Sequence, residues 1–211
     1  SRYTKLSDVI TDGKKLVEDI EAEGAVLLKN ENDALPLAKG NKVSLFGIAS
    51  YAPAYGGKGS AQSGTTEGAI SLKQGLENAG FEVNADLFNF YGENQNKYKP
   101  VGRGVSLKLN DAPWSDIVAN SAVYGSISGY SDVAIFVFNR LGGEGSDYAQ
   151  SGVVDGTNGD TLKLSPNELS VLKGLKGLKD SGVIKKIVVL ANTANQIEST
   201  YLTDPALGVD A

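Results

Sequence analysis

The residue with the most suggestive setting is Glu144, a carboxylate in a run of glycines that directly follows an apolar segment. Gly142 and Gly143 precede it and Gly145 follows it. Glycine restrains the backbone little, and a Glu among glycines has no place in a core. Glu144 is therefore either a solvated loop charge or a carboxylate held toward a ligand, where it could serve as a general acid or base.

Two charged neighbours, Arg140 and Asp147, flank Glu144 in the sequence. They either form a local ion pair that shapes the loop or contact the same ligand as Glu144. Asp160 follows Asn158 and Gly159, a setting typical of a turn or cap residue rather than of a reactive one.

A second glycine-rich segment, residues 55–64, contains Gly59 and Ser60. Its lysine stands before Gly-Ser in the wrong order for a P-loop. Gln62 occupies the position that a dinucleotide fingerprint gives to its third glycine. The segment is thus either a surface loop or a backbone that a ligand can approach closely, since glycine lacks a Cβ.

The composition excludes several kinds of chemistry. The 211 residues include no His, Cys or Met, so disulfides, thiolate metal sites and a Ser-His-Asp triad are impossible within them. We expect no metal and no cofactor. The net charge of −5 argues against a nucleic-acid partner, and no run approaches the roughly 20 apolar residues of a membrane span. The sequence starts at Ser1, which suggests a piece of a longer chain and leaves the compartment open, cytoplasmic or exported.

Short apolar runs predict the strands that position these loops. Residues 43–49, 133–138 and 187–191 are rich in β-branched and aromatic side chains, and 81–83 reads as a shorter strand. Runs that hardly alternate between apolar and polar residues are typical of strands buried on both faces. We therefore predict an α/β fold: an open, mainly parallel, doubly wound sheet with helices on both faces. In such a sheet ligands bind outside the carboxyl ends of the strands, where both glycine-rich loops would lie.

Helical patterns fill the intervals between the predicted strands. One lies before the first strand, with Leu16, Val17, Ile20 and Leu27 on one face, and another spans 66–80. A third begins at Ser165, whose Glu three residues on completes a capping box, and buries Leu169, Leu172, Leu175 and Leu178.

The remaining segment, residues 92–131, reads as a long irregular insertion with one short helix. Its aromatic residues either pack the insertion or stack on sugar rings: Tyr91, Tyr98, Trp114, Tyr124 and Tyr130. We interpret 1–211 as a single domain, and we expect a further strand after Ala211, so that the sheet is truncated there.

Five segments in order resemble the α/β sandwich domain of glycoside hydrolase family 3. They are the run from Glu23 through Val-Leu-Leu-Lys-Asn30, the turn Leu35-Pro-Leu37, the Gly-Gly-Lys-Gly-Ser60 loop, the segment from Asn139 through Glu144 to Asp147, and Gly159-Asp160 followed by the capped helix. The run Val188-Val-Leu-Ala-Asn192 is similar to the family as well. The likeness extends from about residue 14 to residue 211.

The resemblance implies a function. It implies a retaining, exo-acting β-glycosidase such as a β-glucosidase, acting on a β-linked glucoside or related oligosaccharide. Glu144 would be the general acid/base. Gly59, Ser60, Arg140 and Asp147 would contact substrate. The Asp nucleophile would lie on a (β/α)8-type barrel domain of the same polypeptide, absent from these residues. Without that barrel we expect an exposed Glu144 with an unperturbed pKa and a chain without hydrolytic activity.

The sequence also departs from the family pattern. Tyr148 stands where the family often has Arg, and about eight extra residues separate this loop from Gly159. Two other interpretations stay open: a non-catalytic carbohydrate-binding or interaction module with the same fold, and a nucleotide- or flavin-binding flavodoxin-like domain, supported by fold analogy alone.

Overall fold

The computed structural model describes residues 2–56, 59–60, 68–102, 106–145, 152–193 and 195–211. Its main sheet has four parallel strands in the order β2-β1-β4-β7. Their bounds are Glu82–Val83 for β2, Lys42–Phe46 for β1, Val133–Arg140 for β4 and Lys186–Thr193 for β7. The predicted parallel α/β architecture is confirmed, and all carboxyl ends lie at one edge of the sheet.

Both faces of the sheet are buried, as the apolar runs predict. Alternate residues of β4 enter two separate hydrophobic clusters: Phe136 and Phe138 face one, Ile135 and Val137 the other. This follows from the two-residue period of a strand. Fully buried side chains on both faces explain why the sequence of β4 does not alternate between apolar and polar residues.

Helices alternate with the strands along the chain, and those after α1 pack against the sheet or against one another. Their bounds, in chain order, are Leu6–Gly24 (α1), Ile48–Tyr51 (α2), Leu72–Asn78 (α3), Ala85–Glu93 (α4), Gln95–Tyr98 (α5), Trp114–Ala119 (α6), Ser121–Ser126 (α7) and Pro166–Asp180 (α8). Short 3-10 helices cover Ile127–Gly129 and Thr200–Leu202. The capping box predicted for α8 is present, with Leu172 and Leu175 buried below it.

A second, small sheet lies beside the main one. It has the order β3-β5-β6, with β3 at Lys108–Leu109, β5 at Gly152–Val154 and β6 at Thr157–Gly159. Strands β5 and β6 form a hairpin whose turn, Asp155-Gly156, has positive φ at both residues. Asp-Gly between strand residues is a strong hairpin signal, so this hairpin, which the sequence analysis missed, was open to prediction.

The first predicted strand is shorter than expected. It ends at Phe46, and residues 48–51 form α2 instead of continuing it. The cause is Gly47, which adopts φ +84° and lies so close to β4 that a Cβ there would stand 2.1 Å from the carbonyl oxygen of Val137. Only glycine fits such a position.

The segment 92–131 is more regular than predicted. In its described residues it contains α5, β3, α6, α7 and a 3-10 helix rather than one short helix. The helices among them have only four to six residues, too few to show a helical period of apolar residues in the sequence. The side chain of Asn120, which accepts a hydrogen bond from the Val123 N–H, starts α7 locally. Trp114 packs against the rings of Phe46 and Tyr124, which favours packing over sugar stacking for these two aromatic residues of the segment.

Two helices differ from their predicted extent. Helix α3 begins only at Leu72, because the Ser71 side chain caps it, and residues 66 and 67 of the predicted 66–80 helix lie outside the described part. Helix α1 ends at Gly24, so Leu27, which was predicted to belong to it, lies beyond its end, and none of its residues is buried. Its apolar side chains Leu16, Val17 and Ile20 are 58%, 66% and 60% exposed.

Residues 209–211 lie along β7. The Asp210 N–H donates to the carbonyl of Ile187 at 2.9 Å, and the Val189 N–H donates to the carbonyl of Ala211 at 2.8 Å. The Asp210 side chain also accepts hydrogen bonds from Lys179, at 2.7 Å, and from the Ile187 N–H, at 2.9 Å. This end of the given sequence is thus anchored to the sheet.

Candidate functional site

The two glycine-rich loops meet at Glu144, near the carboxyl end of β4. Oε2 of its carboxylate accepts a hydrogen bond from the Ser60 hydroxyl at 2.5 Å and another from the Ser60 N–H at 3.1 Å. Glu144 itself is exposed. The structure therefore brings together three of the predicted site residues, Gly59, Ser60 and Glu144, from positions 84 residues apart in the chain.

Gly59 permits this close approach. It has φ +104°, and a Cβ there would stand 2.8 Å from the Cβ of Glu144 and 3.2 Å from its Oε2. Any larger residue would push the two loops apart or require a strained backbone. The glycine thus serves the contact between the loops.

The electrostatic setting of Glu144 favours its anion. The Ser60 hydroxyl and, to a smaller extent, the Ser60 N–H lower the pKa of the Glu144 carboxyl, while slight burial opposes them. Hydrogen bonds to a carboxylate stabilise its charged form. The expected exposure is confirmed, and the expectation of an unperturbed pKa is wrong because Ser60 supplies two donors to one oxygen.

Arg140 does not face the loop surface. Its side chain is 1% exposed and pairs with the 5% exposed carboxylate of Glu168. The pair is bidentate, with distances of 2.9 and 2.8 Å.

The same guanidinium also donates to three backbone carbonyls. They belong to Asn139, Thr161 and Lys163, at 2.8, 2.7 and 2.6 Å. A guanidinium has five N–H groups, so none is left for a sugar hydroxyl in this arrangement. Arg140 instead joins the end of β4 to the start of α8.

Two further acidic residues, Asp147 and Asp160, were singled out in the sequence. Asp147 lies outside the described residues, so its predicted contact with substrate stays a prediction. Asp160 is a turn residue, as expected, because its Oδ1 accepts the N–H of Leu162 at 2.9 Å. Its Oδ2 also lies 3.9 Å from the ammonium nitrogen of Lys163.

A buried carboxylate, Asp111, also lies at this edge of the sheet. It accepts the N–H of Ile48 at 3.0 and 3.1 Å, one bond to each oxygen, and the N–H of Ala112 at 2.7 Å. Burial raises the pKa of Asp111 to about 8, and the negative charge of Glu168 adds to the effect. No sequence signal singles out Asp111, because its burial and its hydrogen bonds to Ile48 arise only when the distant segments fold together.

Two surface depressions among the described residues have linings that do not include Glu144. A depression of about 550 Å³ opens beside α5 and α6, and another of about 260 Å³ opens beside Asp160 and Glu198. In the same part of the chain, no group of three or more acidic, His or Cys side chains could hold a metal ion. No helix there is long and apolar enough to cross a membrane.

Fold and site together define an α/β sandwich-like domain that presents a carboxylate at the carboxyl ends of its parallel strands. Residues 25–207 match the family model described as the glycosyl hydrolase family 3 C-terminal domain. The chain belongs to this family, as the resemblance implied.

Known relatives carry the same family likeness. The chain is 31% identical over 149 residues to beta-glucosidase A of Butyrivibrio fibrisolvens, covering 68% of the chain and 17% of the relative. It is 28% identical over 166 residues to a beta-glucosidase of Wickerhamomyces anomalus, covering 77% and 18%. The chain thus spans less than a fifth of these relatives.

Solved structures agree. Beta-glucosidase 3B of Thermotoga neapolitana, in complex with α-D-glucose, superposes with a TM-score of 0.71 at 29% identity, over 95% of this chain and 26% of that one. A beta-glucosidase from Paenibacillus barengoltzii gives a TM-score of 0.69 at 26% identity, over 90% and 19%. The fold is thus the β-glucosidase-like C-terminal α/β domain of the family.

Proposed function

We propose that this chain provides the general acid/base carboxylate, Glu144, of a retaining, exo-acting β-glycosidase of the β-glucosidase type. The Asp nucleophile would lie on a (β/α)8-type barrel domain of the same polypeptide, outside these 211 residues. The observation that carries the proposal is the exposed carboxylate of Glu144, which two donors of Ser60 hold at the carboxyl edge of the sheet. The names of the relatives, all beta-glucosidases, support the substrate class.

The proposed reaction has two steps. In the first, protonated Glu144 gives its proton to the glycosidic oxygen while the barrel carboxylate attacks the anomeric carbon, so the aglycone leaves as an alcohol. In the second, anionic Glu144 takes a proton from water, whose oxygen displaces the barrel carboxylate and releases the sugar. Retention requires the two carboxyl groups to lie about 5–5.5 Å apart.

The two steps need opposite protonation states of one carboxyl. Ser60 favours the anion, which suits the second step. For the first step the pKa of Glu144 must rise, and docking beside a second carboxylate in a drier site has that effect. Gly59, Ser60 and Asp147 are the proposed substrate-facing residues, with Gly59 leaving room for close approach.

The decisive experiment is Glu144→Gln in the full-length protein. We expect kcat/KM for an alkyl glucoside to fall about 10²- to 10⁴-fold, the usual contribution of general acid/base catalysis. A dinitrophenyl glucoside needs no proton at its leaving group, so its glycosylation step should be little affected. Azide, which needs no base, should restore turnover and give the glycosyl azide.

The matched control is Glu93→Gln, at an exposed glutamate at the end of α4. It should leave both substrates unaffected. Unchanged turnover in Glu144→Gln would instead favour the non-catalytic carbohydrate-binding or interaction module. The 211-residue chain alone should not hydrolyse a nitrophenyl glucoside, because it lacks the proposed nucleophile, and measurable turnover by it would contradict the two-domain site.

A further inference from the structure

Two arms of the chain meet at Glu144, and a side chain holds each arm at its base. One arm leaves β1 and α2 and carries Ser60, and the other leaves β4 and carries Glu144. The base of the second arm is held by Arg140, whose guanidinium binds Glu168 and three carbonyls. The base of the first arm is held by a residue with no assigned role, Asn192.

Asn192 binds the backbone of Ala54 at both of its polar groups. The Ala54 N–H donates to Oδ1 of Asn192 at 2.7 Å, and Nδ2 of Asn192 donates to the Ala54 carbonyl at 3.3 Å. A carboxamide has one acceptor and two donor hydrogens on adjacent atoms, so it can pair with one residue's backbone as a neighbouring strand would. Ala54 lies on the arm that carries Ser60.

The bases of the two arms are neighbouring positions of one ladder. Strands β4 and β7 pair in parallel over their full lengths, with Asn139 opposite Asn192 and Arg140 opposite Thr193. Adjacent strands lie about 4.8 Å apart. The described contacts therefore join β7 to Ala54 through Asn192 and join Ser60 to Glu144 beyond β4, and Ala54 and Ser60 are six residues apart in the sequence.

Ser60 holds one particular oxygen of the Glu144 carboxylate. Both donors of Ser60 reach Oε2, and within the described part of the chain no hydrogen bond reaches Oε1. Without Asn192, the segment that carries Ser60 would lose its two hydrogen bonds to β7 at Ala54.

We propose that Asn192 is a positioning residue for the acid/base carboxylate. By holding Ala54 it aligns the segment that carries Ser60, whose two donors hold Glu144 for exchange of the proton with the glycosidic oxygen. This inference rests on the proposed function, because it requires Glu144 to be the acid/base. It adds a residue on a third strand, β7, to the reaction.

The test is Asn192→Ala in the full-length enzyme, assayed with an alkyl glucoside and a dinitrophenyl glucoside. We expect kcat/KM to fall about 10- to 100-fold for the alkyl glucoside, since a misplacement near 1 Å costs about 10²-fold. The loss for the dinitrophenyl glucoside should stay under about threefold, because that leaving group needs little protonation. In a Glu144→Gln background, Asn192→Ala should add no further loss for the alkyl glucoside.

Two further variants separate positioning from folding. Asn195→Ala, at an exposed asparagine of the same segment, should leave both substrates unchanged. Asn192→Asp keeps an acceptor for the Ala54 N–H and loses the donor, so its selective loss should be intermediate. If Asn192→Ala does not fold, the same comparison of substrates with Asn192→Asp decides the question.

The outcomes distinguish the two proposals. If Glu144→Gln shows no dependence on the leaving group, the proposed function fails and this inference fails with it. If Glu144→Gln shows the dependence but the Asn192 variants lower both substrates equally, or neither, only the positioning role is overturned. A selective loss that disappears in the Glu144→Gln background supports it.

Discussion

At the scale of single residues, the main finding is that Ser60 binds the carboxylate of Glu144. The sequence had predicted only that both residues contact the same substrate. The hydroxyl and the N–H of Ser60 converge on Oε2 of Glu144. Because Ser60 is the main cause of the lowered pKa of the Glu144 carboxyl, the protonation state of the proposed acid/base is under local control. Gly59 makes this contact possible by leaving room for the Glu144 side chain.

Ser60→Ala should therefore raise the pKa of the Glu144 carboxyl. The substitution removes the hydroxyl donor and keeps the N–H donor, so the anion loses part of its stabilisation and protonates at higher pH. Carbon-detected NMR of the labelled Glu144 carboxyl across a pH titration of the 211-residue chain measures the midpoint directly. The control is Ser60→Thr, which keeps both donors and should keep the lowered pKa. An unchanged midpoint in Ser60→Ala would contradict the role given to the hydroxyl.

At the scale of elements, α1 and α8 contrast sharply. Both have apolar residues at helical spacing, yet α8 buries Val171, Leu172 and Leu175, whereas α1 buries none. Apolar periodicity indicates that a helix has an apolar face. It does not indicate whether anything covers that face in a given stretch of chain.

The same substitution in each helix should have very different effects on stability. Leu172→Ala removes a fully buried side chain and should lower the free energy of unfolding by about 2–5 kcal/mol. Leu16→Ala, at a residue 58% exposed, should change it by less than about 0.5 kcal/mol. Urea denaturation of the 211-residue chain measures both. A comparable loss for Leu16→Ala would mean that α1 packs against the rest of this chain.

At the scale of the whole molecule, the buried carboxyl of Asp111 makes the free energy of unfolding depend on pH. Asp111 accepts a hydrogen bond from the N–H of Ile48, the first residue of α2, and burial raises its pKa from 3.8 to about 8. A carboxyl whose pKa is raised on folding binds a proton that the unfolded chain releases. The free energy of unfolding therefore falls as pH rises from about 4 to about 8.

Asp111→Asn should remove this contribution. The amide mimics the neutral acid and keeps an acceptor for the Ile48 N–H. Its stability relative to the unsubstituted chain should increase with pH over that window, by at most about 1.4 kcal/mol per pH unit for one proton. Denaturation at a series of pH values measures the difference, with Asp86→Asn, at an exposed residue of α4, as the control. A difference independent of pH would show that Asp111 is ionised throughout.

The sequence by itself determined the sheet and the identity of the family. Long apolar runs at β4 and β7 specify buried parallel strands because both faces of each strand are covered, and the capping box at Ser165 starts α8 through contacts within one turn. Such signals depend on residues close together in the sequence, so they can be interpreted without the tertiary structure. The glycines around Glu144 likewise indicated a carboxylate outside the core.

Only the tertiary structure decided the partners of the polar side chains. Arg140 and Glu168 are 28 residues apart, Ser60 and Glu144 are 84 apart, and Ala54 and Asn192 are 138 apart. The local sequence around each of these residues does not predict which distant residue it will bind. Hydrogen bonds act over about 3 Å, so which donor reaches which acceptor depends on how the strands are ordered in the sheet. That order, β2-β1-β4-β7, brings the Ser60 arm, Glu144 and Asn192 to one edge.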